Sequence, residues 1–216
     1  VVGEPGGDVR ADVVSEVRTF YDALAEDYDG MFREEPSSPL ARAMLGAFAE
    51  VVDGPVTEVG CGPGRVTAYL SRSGVSIAGI DLSPEMVRIA RREHPSVPFE
   101  VGSMWDLPGD AGLGGLVAWY SIIHTPDDEL GALFTRFARA VRPGGWLLVG
   151  FQVGDEPLLL ERPLGHDVSL EFRRLRPERV VELMVAAGFE LSGQLVRAPE
   201  GREVVPQALL LARRVS

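Results

Sequence analysis

Val56-Thr57-Glu58-Val59-Gly60-Cys61-Gly62-Pro63-Gly64-Arg65 runs from a short apolar strand into a loop with glycine at every second position, and a helical pattern follows at once. Glycines so spaced let the backbone turn tightly and bring bare N–H groups against a ligand. One glycine suffices for an ordinary tight turn, so Gly60, Gly62 and Gly64 together favour a ligand loop. Asp81 closes the next apolar run, roughly 20 residues on, where a carboxylate can accept hydrogen bonds from a ribose diol. Loop and acid together describe a nucleoside-cofactor site.

Outward from this loop, strand-like runs at 75–80, 99–101, 116–120 and 146–151 alternate with helical patterns. Ser83 caps one helix with Pro84 first, and another is expected over 126–141, begun by Thr125 and Pro126. Ahead of the loop, apolar spacing predicts a helix over 12–28 and a second after Ser38-Pro39 to about 52. After a helix over 177–187, apolar runs at 189–197 and 204–213 are close enough to join as a hairpin, so the last strand should run antiparallel. The expected fold is α/β: a Rossmann-like, doubly wound, mostly parallel seven-stranded sheet with an antiparallel C-terminal strand and N-terminal lid helices. Such sheets bind ligands beyond the carboxyl ends of their strands.

The segment from Glu58 to Gly64 resembles the first motif of class I S-adenosylmethionine-dependent methyltransferases, E/D-x-G-x-G-x-G, rather than the G-x-G-x-x-G of dinucleotide enzymes. Ala78-Gly79-Ile80-Asp81-Leu82-Ser83-Pro84-Glu85-Met86 is similar to the family's second-strand motif, Gly102-Ser103-Met104-Trp105-Asp106-Leu107-Pro108 to its third, and Val141-Arg142-Pro143-Gly144-Gly145-Trp146-Leu147-Leu148-Val149 to its fifth-strand turn. The resemblance implies S-adenosylmethionine as cofactor and S-adenosylhomocysteine as its product. It implies Glu58, Gly60, Cys61, Gly62 and Gly64 around the methionine part, Asp81 on the ribose, Leu82 on the adenine face, and Tyr120 at the fourth strand tip. Ser103 departs from the family's usual aspartate, so a hydroxyl or Asp106 must serve the adenine amino group, with Met104 offering its backbone N–H. Tyr21 and Tyr28 fall in a segment that looks like the family's lid and would approach the cofactor's carboxylate or sulfonium. Trp105 either covers the purine or fills the edge of the core.

His124, just after the fourth strand, and His166, between the fifth strand and the last helix, are the candidate general bases; His94 reads as a surface residue. Asp127 and Asp128 read as acids at a helix start, and no metal is expected. Domain boundaries are expected as a flexible tail over 1–10 and a single domain over 11–216. Within that domain, 11–54 forms the lid helices and 152–176 an acceptor-covering insert whose Leu158, Leu159, Leu160 and Glu161 admit an apolar or cationic acceptor.

With a formal net charge of −11 the chain opposes phosphate backbones, so nucleic acid is not an expected partner; a small-molecule methyl acceptor is. Lysine is absent, which excludes a lysine Schiff base, and the single cysteine excludes an internal disulfide. The apolar runs are too short to span a membrane, and a cytoplasmic location is expected. Oligomeric state leaves no mark. Two other readings stay open, a cofactor-binding regulatory protein without turnover and, disfavoured by glycine spacing and the terminal hairpin, a nicotinamide oxidoreductase.

Overall fold

The computed structural model describes residues 9–33 and 36–215. Nine strands are formed among them: β1 Val56–Val59, β2 Ile77–Asp81, β3 Phe99–Val101, β4 Leu113–Trp119, β5 Val141–Gln152, β6 Leu158–Glu161, β7 Ser169–Phe172, β8 Phe189–Arg197 and β9 Gln207–Arg214. Seven of them make one sheet in the order β3-β2-β1-β4-β5-β9-β8. Neighbours are parallel except at β9, which runs antiparallel to both β5 and β8. The expected fold class is therefore the observed one. Strand order reverses between β1 and β4, and the crevice that opens there faces the glycine loop.

Six helices cover the sheet: α1 Val9–Met31, α2 Pro39–Val51, α3 Arg65–Arg72, α4 Pro84–Glu93, α5 Leu130–Ala140 and α6 Pro177–Ala186. Leu45 and Phe48 of α2 and Leu70 of α3 seal one face against Val117, Leu148 and Leu209. Phe134 and Phe137 of α5 and Val180 of α6 seal the other against Leu116, Leu147 and Leu210. Each such side chain, fully buried, contributes about 1.5–3 kcal/mol.

Several expected boundaries shift. The tail expected over 1–10 lies outside the described residues as far as residue 8, but Val9 and Arg10 already belong to α1. α2 is no lid: with Ser38 as its cap it packs its apolar face on the sheet. The helix expected from 126 begins at Leu130, because Thr125 ends a 3-10 turn over Ile122–His124 and the Pro126 carbonyl accepts from the amides of Glu129 (2.9 Å) and Leu130 (3.1 Å). Within the expected insert, β6 and β7 pair antiparallel, and Leu160, Leu170 and Phe172 pack against Val17, Phe20 and Leu24 of α1.

Candidate active site

Between α1 and the carboxyl ends of the central strands lies a partly open cavity lined mostly by apolar side chains with a few polar groups among them, the usual makeup of a small-molecule site. Its floor begins at Gly60, whose φ of 66° is open to glycine alone at little cost, and where an added Cβ would lie 2.4 Å from that of Ser121. The loop continues to Gly62, whose N–H donates to Asp81 Oδ2 at 2.7 Å, while Ser83 N–H donates to Oδ1 at 2.9 Å. Both oxygens keep lone pairs for a ligand. Burial pushes the Asp81 carboxyl up to about 6 despite these two bonds.

Beyond Asp81, Leu82, Ser103, Met104 and Trp105 line one end of the cavity. The Ser103 hydroxyl accepts from Trp105 N–H at 3.1 Å and so caps the 3-10 turn over Met104–Asp106 that carries them. On the other side of Gly60, the tip of β4 supplies Trp119, Tyr120 and Ser121. Tyr120 sits at φ 55°, a strained conformation for a residue with a side chain, of order 1–3 kcal/mol, held by its N–H to Gly150 O at 2.9 Å. Ser121 is 6% exposed, and its buried Oγ has no hydrogen-bond partner.

His124 follows in the 3-10 turn, 7% exposed. Its Nδ1 faces Glu171 O at 3.4 Å, and since a carbonyl only accepts, Nδ1 carries the proton. Nε2 then presents its lone pair to the hydroxyl of Tyr21, 2.9 Å away. Burial is the main cause that lowers His124 to about 4, so the ring is neutral. Burial likewise raises the Tyr21 phenol, with the nearby Tyr28 and Asp81 adding to it.

α1 closes the top with one face, Arg10, Val13, Val14, Val17, Tyr21 and Tyr28. Another face carries a row of acids. Asp22 Oδ1 accepts from Ser83 Oγ at 2.6 Å, Glu26 meets Arg88 (2.5 Å) and Arg92 (3.1 Å), and the buried Asp29 pairs with Arg65. Arg65 also donates to the carbonyls of Asp29 (2.6 Å) and Arg33 (2.7 Å).

The structure thus brings together Tyr21, Tyr28, Gly60, Gly62, Asp81, Leu82, Ser103, Met104, Tyr120 and His124 of the expected site. Four expected residues lie elsewhere. Glu58 is buried beneath the loop, where it accepts from the Thr67 hydroxyl and burial raises it to about 8. Cys61 turns down into the cluster of Val87, Ala90 and Phe99. Gly64 caps α3 at φ 80°, with Phe99 filling the space a side chain would need. His166 sits outside α1, its Nε2 2.9 Å from Asp27 Oδ2, and does not reach the cavity, so it is no base for a reaction there. The insert that carries it contributes nothing to the cavity lining, Leu158 to Glu161 included; it braces α1 and holds His124 through Glu171 and through Arg173 N–H to Ile123 O at 3.0 Å. Sequence reasoning missed Ser121, Trp119 and Arg10. The first two adjoin Tyr120 at a strand tip, which was the available signal.

Residues 56–145 match a family model described as a methyltransferase domain. The chain is 33% identical to trans-aconitate 2-methyltransferase of Rhizobium meliloti over 60% of its own length and 51% of that enzyme's. It spans about half or less of the length of the curated relatives it matches. Its fold is also that of 1,6-didemethyltoxoflavin-N1-methyltransferase of Burkholderia thailandensis, a structure with S-adenosylhomocysteine bound, at 22% identity and a TM-score of 0.75 over 100% of this chain and 94% of the other. A similar fold occurs in the [4+2]-cyclase SpnF, at 20% identity and a TM-score of 0.71 over 94% and 96% of the two chains. Among the described residues, no helix is long and apolar enough to cross a membrane, and no three His, Cys, Asp or Glu gather to hold a metal.

Proposed function

We propose that this chain moves a methyl group from S-adenosylmethionine to a small-molecule acceptor. The observation that carries the reading is the continuous row from Met104 and Ser103 through Asp81, Gly62 and Gly60 to Ser121, set along the ends of adjacent strands. Such a row suits a purine at one end, a ribose at Asp81 and an amino-acid group at the other end, where the buried Ser121 hydroxyl lacks a partner. Leu82, Ser103 and Met104 would hold the adenine, and Asp81 the ribose hydroxyls through charge-assisted hydrogen bonds. Gly60 and Gly62 would let the backbone approach.

When bound, the cofactor supplies a methyl group already activated as a sulfonium. The chain's own part is alignment, exclusion of water under α1, and a place for a proton at His124 Nε2. Near-attack placement alone supplies up to about 7–11 kcal/mol. Titration calorimetry with S-adenosylhomocysteine, followed by transfer of radiolabelled methyl to a panel of metabolites, tests this. A chain that does not bind the product sinks it.

A second reading, cofactor binding without methyl transfer, has one observation behind it: the fold neighbour that is a cyclase. Tight product binding with no label transferred to any acceptor would favour it.

A further inference from the structure

Resting on the methyltransferase reading, the dyad at the cavity's inner end narrows the acceptor. We infer that the acceptor is an uncharged phenol whose hydroxyl takes the place that Tyr21 now holds on His124. The chain already shows that a phenol fits there: Tyr21 O–H lies 2.9 Å from Nε2, and Glu171 O fixes the tautomer that leaves Nε2 an acceptor. The surroundings are aromatic. Tyr28 stands edge-on to Tyr21 at 5.7 Å between centroids, and Phe172 edge-on to His124 at 4.9 Å.

Charge argues the same way. Arg10 is the one guanidinium lining the cavity among the described residues, its Nε 2.6 Å from Glu129 and its guanidinium carbon 4.1 Å over the Trp105 ring. It stands about 16 Å along α1 from Tyr21, at 1.5 Å per residue. Arg173, the cation nearest His124, points to the His124 carbonyl (3.4 Å) and to Glu171 (3.0 Å) and does not line the cavity. Outside the described residues the sequence has no arginine or lysine. A polycarboxylate brought to the dyad would lose its hydration with no cation to replace it. A protonated amine would find only Asp81 as a lining acid, and the ribose of the cofactor takes that carboxylate in the proposed binding mode.

The step balances without a further reactant. A bond forms between the phenol oxygen and the transferred methyl carbon as that carbon's bond to sulfur breaks, the electron pair leaving with sulfur. The phenol proton goes to Nε2. A neutral buried imidazole does not form phenolate beforehand, but it takes the proton downhill once the oxygen begins to carry positive charge.

The test uses the full chain with tritiated S-adenosylmethionine and four probes: 1-naphthol, 4-methylcatechol, trans-aconitate and benzylamine. Label in the naphthol or catechol ether, with none in the other two, is expected. His124→Asn, which keeps a donor toward Glu171 and removes the Nε2 acceptor, should lower kcat about 100-fold or more while S-adenosylhomocysteine still binds. Tyr21→Phe, which removes the competing hydroxyl, should lower the KM for the phenol severalfold. Label in the tricarboxylate or amine but in neither phenol, no label in any probe while the product binds, or an unchanged kcat in His124→Asn overturns the inference. Failure of the wild-type chain to bind S-adenosylhomocysteine instead removes the methyltransferase reading beneath it.

Discussion

Below the cavity, β1 and β4 lie between fully buried layers, Leu45, Phe48 and Leu70 on one side and Leu133, Phe134 and Phe137 on the other. Above it, α1 has two short apolar seams, Val17, Phe20 and Leu24 on one and Ala25 against Met86 and Ile89 on the other, and otherwise leans on Asp22, Glu26 and Asp29 against serine and arginine partners. Close-packed layers yield little to a change of one methyl, whereas exposed ion pairs such as those of Glu26 with Arg88 and Arg92 exchange readily with water. The floor is therefore suited to fixing where a ligand lies, and the cover to deciding how fast it arrives and leaves. Substitutions in the two regions should separate these quantities.

The hardest blow to the floor is Gly60→Ala. The new methyl would lie 2.4 Å from Ser121 Cβ, on a backbone at φ 66°. We expect S-adenosylhomocysteine affinity to fall about 100-fold or more, about 2.8 kcal/mol at least, read by calorimetry. Adding Ser121→Gly relieves the collision but not the left-handed backbone, so recovery should be partial. Full affinity in Gly60→Ala would show that the floor is softer than its packing indicates.

Asp81→Asn comes next, with a loss of about tenfold or more in affinity. The carboxyl in the folded protein titrates at about 6, above its ordinary 3.8. Its raised value means that its contribution to stability is present below the ordinary value and lost as pH rises through about 6. Ligand binding, which needs the ionised acceptor, runs the other way. Affinity should weaken as pH falls below about 6, by up to tenfold per unit, and Asp81→Asn should flatten that dependence. An unchanged slope in the variant would remove Asp81 from the ribose.

For the cover, Asp29→Asn leaves the half-buried Arg65 without its nearest counter-charge, although the carbonyls of Asp29 and Arg33 still hold it. Dissociation of S-adenosylhomocysteine should quicken severalfold in stopped-flow measurements. Association should change in the same direction, so that the equilibrium constant moves less than either rate. A change confined to equilibrium affinity would mean that α1 shapes the site rather than gating it.

The same division explains what the sequence disclosed. The floor was legible because its constraints are local: three glycines, an acid at a strand end and alternating apolar runs each leave a mark in one short stretch. The mostly parallel sheet with its antiparallel C-terminal strand follows from β/α alternation and the terminal hairpin. His166 was misread because its reach depends on how β6 and β7 fold back on α1, a contact between residues more than a hundred apart with no pattern of its own. Arg10 was taken for tail because its partners, Glu129 and Trp105, are distant in sequence. Glu58, Cys61 and Gly64 were placed in the right loop, but Glu58 and Cys61 are buried beneath it and Gly64 already turns the chain into α3.

The smallest expected effect sharpens the comparison within the floor itself, between two carboxylates at the ends of neighbouring strands. Glu58 is 2% exposed, accepts from the Thr67 hydroxyl and does not line the cavity. Burial raises it from 4.5 to about 8, so at pH 7 it is already uncharged, and Glu58→Gln changes neither charge nor size there. We expect S-adenosylhomocysteine affinity at pH 7 to stay within about twofold of wild type, against tenfold or more for Asp81→Asn. Stability should diverge with pH in the opposite sense to that of an ordinary salt-bridged acid. The wild-type Glu58 contribution is present below its ordinary value and is lost as pH rises through about 8, because ionising the buried group becomes obligatory. Glutamine has nothing to ionise. Thermal melts at pH 7 and pH 9 should therefore show the variant gaining on wild type at the higher pH; a large loss of affinity at pH 7 would mean instead that Glu58 reaches the ligand directly.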